Sequence, residues 1–273
     1  MGMLLNELPP AAPRHPGCGW STRLAGGLLL VLGVLLGGCV TQQDRQALQQ
    51  GYDDYNAHRY AAAAQAANTY IDKFPHDEDV GEAYYLRALT ELTANERTQA
   101  RTDLAAAIAA TKRADLQARS ERVLGDLAFE DDHYAEAIRY YQSALAADPA
   151  SPEAQTYYRL GCSLQAIGQW AEARAPLARV LSMPDNGGWD DYARRRLGAT
   201  AFALQFGAYR DLAPARTLAL GLRRAGVQAD VFRELRGTAP LYTVRFGHYL
   251  TLPEVESARQ AMLARYPQVA IYP

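Results

Sequence analysis

The chain predicts two folded parts of different class, an all-α array of repeated helix pairs followed by a small α+β module with the element order βαββαβ. Two observations carry this reading. Between Asp44 and Gly187 small residues recur every 36 or 37 positions: Gly51, Ala88, Gly125 and Gly161 form one series, and Ala63, Ala100, Ala137 and Ala173 a second. Near the C-terminus, Leu204-Gln205-Phe206-Gly207-Ala208-Tyr209 returns forty residues later as Val244-Arg245-Phe246-Gly247-His248-Tyr249, and a helical pattern follows each copy. A chain of 273 residues accommodates both parts, since domains run to roughly 100 to 200 residues each.

The array occupies residues 44–187. Tyr60, Tyr134 and Trp170 precede three of the recurring alanines by three positions, and Pro75 and Pro149 close two units. This pattern resembles the tetratricopeptide repeat, in which two antiparallel helices form a unit of about 34 residues and small residues sit where the helices cross most closely. Val123-Leu124-Gly125 to Pro149 and Tyr157-Tyr158-Arg159-Leu160-Gly161 to Val180 match well; residues 81–114 depart from the pattern, with Ala88 and Arg97 where glycine and an aromatic are usual. About four units are expected, enough to bury a continuous core. The resemblance implies a groove lined by the first helix of each unit, at Tyr52, Tyr55, Tyr85, Leu89, Arg119, Arg122, Asp126, Phe129, Tyr158, Cys162 and Gln165. Aromatics with arginine suit a protein-binding surface, although several of these tyrosines could instead pack between helices.

Residues 188–199 read as a capping helix, with Trp189, Tyr192 and Leu197 apolar and Arg194, Arg195 and Arg196 solvated. No stretch rich in Pro, Gly or Ser separates this helix from the module, so a fixed orientation between the two is expected.

The module covers residues 200–273. Each copy of its duplicated motif is an alternating run ending at a glycine, then a polar N-cap candidate, Asp211 or Thr251, that opens a helix. Thr251-Leu252-Pro253-Glu254 reads as a capping box with proline in the first turn. Strands at 227–234 and 268–272 complete a split βαβ fold, one sheet under two helices with its other face open. Alternation points Phe202, Leu204, Phe206, Val244, Phe246, Val269 and Ile271 at the helices, and Ala203, Gln205, Thr243, Arg245, Ala270 and Tyr272 away from them. Amide, hydroxyl, guanidinium and phenol groups on an open face suit a sugar or peptide polymer.

Residues 200–273 resemble the SPOR domain, through the two hexapeptides, Leu222 to Gly226, and Tyr242-Thr243-Val244-Arg245-Phe246-Gly247. The resemblance implies a ferredoxin-like fold that binds peptidoglycan glycan strands stripped of their stem peptides. Gln205 matches the family's strand-one glutamine, implicated in glycan binding; Ala208 and Tyr209 depart from its usual small polar residue and phenylalanine. Gln205, Thr243 and Arg245 are the expected hydrogen-bonding groups, with Tyr272, Tyr209 and Tyr249 as apolar platforms.

Ahead of the array, Leu24 to Gly38 is an apolar run behind Arg14, His15 and Arg23, too short to span a bilayer comfortably and suited to a signal-peptide core. It ends in Leu36-Gly37-Gly38-Cys39, which resembles the lipobox of bacterial lipoproteins. That resemblance implies cleavage of residues 1–38, acylation of Cys39, a short tether at 39–43 and, with Val40 rather than aspartate next, sorting to the outer membrane. Acyl chains contribute about 0.8 kcal/mol per buried methylene, so several make a lasting anchor. Cys162 is then the one thiol of the mature chain and has no internal disulfide partner.

The remaining composition excludes more than it suggests. The net charge of −2 conceals nine Arg against five acids from residue 199 onward, an unclustered excess too small for nucleic-acid binding. Histidines at 15, 58, 76, 133 and 248 have no metal-ligand spacing, and the acid runs 77–79 and 130–132 lack the spacing of a calcium loop and read as solvated turns. No nucleophile elbow or phosphate loop is present. The sequence therefore reads as a non-enzymatic, cofactor-free envelope lipoprotein that holds peptidoglycan and a protein partner during division or wall remodelling. The alternative is an outer-membrane assembly or chaperone factor whose sheet module contacts protein.

Overall fold

The structure, a computed structural model, describes residues 40–236 and 239–273. The expected signal peptide and Cys39 lie outside the described residues. The described residues form two compact units, divided between Asp103 and Leu104 inside a helix.

The first unit holds α1 (Gln42–Asn56), α2 (Tyr60–Lys73), α3 (Val80–Thr93) and the start of α4 (Arg97–Ala110). Thr41 opens α1 with a capping box: its side chain accepts from Asp44 N–H, and the Asp44 carboxylate accepts from Thr41 N–H at 3.0 Å. Gly51 is glycine because a Cβ there would lie 2.8 Å from Leu86 and 2.9 Å from Ala66, so three helices meet on a bare backbone. Ala63, Ala88 and Ala100 are each fully buried, as the recurring small residues require. The acid run at 77–79 is only partly the solvated turn expected. Asp77 accepts from Tyr70 Oη at 2.5 Å, and Asp79, only 4% exposed, pairs with Arg45 at 3.2 Å.

Glu91 makes this unit sensitive to pH. Burial, reinforced by the neighbouring Asp103 charge, pushes its carboxyl from 4.5 up to about 7, and its Oε2 is buried with no hydrogen-bond partner. Between those values the folded form holds a proton that the unfolded chain has lost, so this contribution fades as pH rises. The melting temperature should fall between pH 5 and pH 8, and Glu91→Gln should narrow that difference in matched thermal scans.

The second unit continues α4 and adds α5 (Ala114–Glu130), α6 (Tyr134–Ala147), α7 (Ala154–Ala166), α8 (Trp170–Ser182) and α9 (Asp190–Leu197). There follow β1 (Phe202–Tyr209), α10 (Leu212–Arg224), β2 (Asp230–Arg236), β3 (Ala239–Tyr249), α11 (Leu252–Leu263) and β4 (Ala270–Tyr272). The helix pairs repeat the device seen at Gly51. A Cβ on Gly125 would meet the Tyr141 ring at 2.7 Å, and one on Gly161 would meet Leu177 at 2.6 Å.

The turn inside each repeated pair also recurs, with a residue in the left-handed region at His58, Asn95, Asp132 and Gly168. Only the last is glycine, and a Cβ there would lie 3.4 Å from both the Leu250 carbonyl and Thr251 Cγ2. The aromatic that starts three of the second helices, α2, α6 and α8, follows the same logic. Tyr60 packs edge-on to Tyr55, and Tyr134 to Phe129. Gln165 stands where Phe129 stood one repeat earlier, so Trp170 finds its aromatic partner in Phe202, at 4.8 Å, and donates through Nε1 to the Leu250 carbonyl at 2.8 Å. The sheet module is thus packed directly on the last helix pair, the fixed junction expected from the missing linker.

The sheet is antiparallel in the order β2-β3-β1-β4, with α10 and α11 against one face. Phe202, Leu204, Phe206, Val244 and Val269 are buried in that core, with Phe246 and Ile271 packed on it, which is the set predicted from alternation. Val227 and Ala229 are also core residues, but they lie in the approach to β2 rather than in a strand.

Candidate functional site

The face turned away from the helices is built by register. Gln205 stands opposite Arg245 on one side and Ala270 on the other, at the centre of the sheet. Ala203 pairs with Tyr272, Arg245 with Asp230, and Thr243 with both Ala208 and Phe232. The expected groups Gln205, Thr243, Arg245 and Tyr272 therefore do share one face.

They do not all reach solvent. The Tyr272 ring lies against the Arg245 guanidinium, 3.3 Å from its centroid, and its hydroxyl donates to Glu234 at 2.7 Å. Arg245 is also ion-paired with Glu234, and the half-exposed Phe232 ring lies 5.2 Å from the guanidinium. This network covers Thr243, which is 1% exposed with its Oγ1 unpartnered. Burial lowers the Arg245 pKa from its ordinary value, the cost of desolvating a guanidinium, which the neighbouring Tyr272 opposes only in part. The Thr243 hydroxyl is thus not an accessible ligand group in this arrangement; Gln205 is partly exposed.

Tyr209 and Tyr249 are corrected more sharply. Both pack against the helix-side core, not on the open face. The ladder shifts register between Gln205 and Gly207, which breaks the alternation, and each tyrosine ring folds over the glycine two residues before it. A Cβ on Gly207 would lie 2.9 Å from the Tyr209 ring, and Gly247, at φ 89°, leaves still less room beneath Tyr249. The duplicated Phe-Gly-x-Tyr is therefore a packing motif, glycine making room for tyrosine.

The expected groove residues divide in the same way. In the first unit Tyr52 is half-buried and donates to Glu82 Oε2 at 2.6 Å, whereas Tyr55 and Tyr85 are core, 7% and 1% exposed. Most of α3 is buried, including Val80, Ala83, Leu86 and Leu89, so its tyrosine and Leu89 become packing groups. In the second unit Arg119, Arg122, Phe129 and Tyr158 remain partly exposed. Arg122 pairs with Glu153, and Asp126 binds Arg159 at 2.5 Å while accepting from Tyr141 Oη at 2.8 Å. Arg159 also lies over the Phe129 ring, 5.6 Å from its centroid.

Arg196 turns inward rather than to solvent. It donates to Tyr158 Oη at 3.2 Å and to Gln165 Oε1 at 2.9 Å, and Gln165 donates back to the Arg196 carbonyl at 3.0 Å. Cys162 beneath is 6% exposed and free, and burial pushes its thiol pKa up, so it behaves as an inert core residue. Arg159 and Arg196 were missed as groove residues although Arg122, Arg159 and Arg196 recur at a spacing of 37. Among the described residues no group of three His, Cys, Asp or Glu could hold a metal, and no helix is long and apolar enough to cross a membrane.

These features define a chain of helical repeats that ends in a four-stranded βαββαβ module. Residues 198–272 match the SPOR domain family, which implies peptidoglycan binding and a place in the cell envelope. Among solved structures, one titled MamA AMB-1 in the crystal form P212121 is similar at 18% identity and a TM-score of 0.43, covering 57% of this chain and 79% of that chain. A MamA mutant is similar at 14% identity and a TM-score of 0.39, covering 83% of this chain and 99% of that one. No curated protein matches the chain.

Proposed function

We propose that the chain is a non-enzymatic envelope lipoprotein that holds bare glycan strands through its sheet module and a protein partner through its helical repeats, at sites of division or wall remodelling. Residues 1–38 would be removed, Cys39 acylated, and residues 39–43 would tether repeats at 44–187, a capping helix at 188–199 and the module at 200–273 to the outer membrane. The observation that carries the reading is the SPOR match over 198–272, with Gln205 at the centre of the sheet's outer face. Arg245 and Tyr272 supply a cation and a ring beside it; Thr243 contributes a hydroxyl only if the Tyr272 ring swings away. Of the expected groove groups, Arg119, Arg122, Phe129 and Tyr158 in the second unit, and separately Tyr52 in the first, stay partly exposed.

One observation favours a second reading. Arg245 and Tyr272 are both already engaged with Glu234 and with each other, as on a protein-contacting face of an envelope-assembly factor. Retention of the full chain on wall sacculi, with and without amidase treatment, separates the two. Stronger retention on treated wall, lost in Gln205→Ala, is the expected result. Equal and negligible retention on both would transfer the sheet module to the protein-contact reading.

A further inference from the structure

At one end the outer face of the sheet is not open. The start of β1, the end of β3, the start of β2 and the end of β4 lie at this end, and the C-terminal turn of α9 with residues 198–201 walls it off. The half-open cleft has a volume of about 430 Å³, within the roughly 300–1,000 Å³ usual for small-molecule sites. Its chemistry is mixed. Phe232, 46% exposed, offers an apolar ring face; Thr200 and His248 offer hydrogen bonds; Arg245 and Tyr272 form the floor described above.

The charged groups of the cleft are not all paired. Arg245 is ion-paired with Glu234, and Asp230 with Arg223. Arg195, from α9, has no carboxylate partner among the described residues and lies only against the Tyr192 ring, 5.6 Å from its centroid. Arg195 is therefore a cation of the cleft without a carboxylate partner, supplied from outside the residues that match the SPOR family.

We propose that this cleft is a composite subsite in which Arg195 pairs with the lactyl carboxylate of a muramyl residue whose ring lies on Phe232. The proposal rests on the glycan-binding reading above and names what the site would discriminate. An amidase that hydrolyses the bond between stem peptide and lactyl group leaves a free carboxylate on every muramyl sugar, where peptide-bearing wall has a neutral amide. A cation poised at the end of the sheet reads that difference directly, through a charge-assisted hydrogen bond. The capping helix α9 is thus part of the sugar site and not merely a cap.

The test uses the full chain and two soluble ligands of equal length, a bare oligosaccharide of alternating N-acetylglucosamine and N-acetylmuramic acid and a chitooligosaccharide without lactyl groups. Calorimetry should show the wild type preferring the muramyl ligand by about tenfold, the size expected of one charge-assisted hydrogen bond. Arg195→Ala should lower muramyl affinity to the chitooligosaccharide level without changing the latter, and Arg195→Lys should keep part of the preference. Arg195 is exposed, so a thermal melt should confirm that both variants fold. If Arg195→Ala binds the muramyl ligand like the wild type, the composite subsite is overturned while glycan binding stands. If the wild type binds neither ligand, glycan binding falls with it.

Discussion

Trp170→Ala should destabilise the second unit by about 3–5 kcal/mol, the usual cost of truncating a buried tryptophan. The side chain is 7% exposed, belongs to the same core as Phe202, Leu204 and Val255, and provides the indole donor to the Leu250 carbonyl. Its loss would empty the seam between the last helix pair and the sheet and orphan a carbonyl at the start of α11. Urea unfolding of the full chain would measure the loss, and faster proteolysis at residues 198–201 would show that the seam has opened. Trp170→Phe separates the two contributions. It keeps a ring against Phe202 but removes the donor, for an expected cost of about 1–3 kcal/mol. A near-neutral Trp170→Ala would mean that the helices and the sheet are held together by something other than this seam.

That seam shows where sequence reasoning works and where it stops. The period exposed Ala63, Ala137 and Ala173 because close helix crossings admit only small side chains, and each is fully buried. The same period placed Trp170 at the start of a helix but could not say that its ring would leave the array, because its partner depends on Gln165 replacing an aromatic. Gly168 carried the clue. It is the only glycine among four equivalent left-handed turns, which points to an outside backbone pressing on it.

On the sheet, alternation correctly sorted side chains by face but could not supply their conformers. Tyr272 and Glu234 sit on opposite edge strands, yet a hydroxyl on a long ring reaches an extended carboxylate across the two strands between them. No pattern of period two encodes that contact, and it removes Thr243 from the accessible surface. Tyr209 and Tyr249 were misplaced for another reason. A register shift beside Gly207 and a positive φ at Gly247 turn each ring back over its glycine, and neither irregularity is legible without the partner strand. In the repeats, position within the unit marked Tyr55 and Tyr85 as groove residues. Their burial was decided by how much of each helix its neighbours cover.

Asp126→Ala should cost about 3 kcal/mol, close to the lower end for breaking a buried ion pair. The Arg159 side chain is 11% exposed and Asp126 22%, so neither charge is well solvated without the other, although the aspartate retains some access to water. Removing the carboxylate would strand both the guanidinium and the Tyr141 hydroxyl, itself on a fully buried ring that packs where Gly125 leaves room. The larger share of the cost is thus the penalty on what remains, not the strength of the pair itself. A double replacement makes that distinction measurable. Asp126→Leu combined with Arg159→Met exchanges both charges for apolar groups of similar reach and should recover most of the stability lost in Asp126→Ala. Urea midpoints of the wild type, the single variant and the double variant would check this order. A double variant no more stable than Asp126→Ala would show that the polar cluster specifies the helix packing of this unit rather than merely being tolerated by it. In either case Arg122, paired with exposed Glu153, should tolerate replacement far better, because water can solvate the carboxylate it leaves behind.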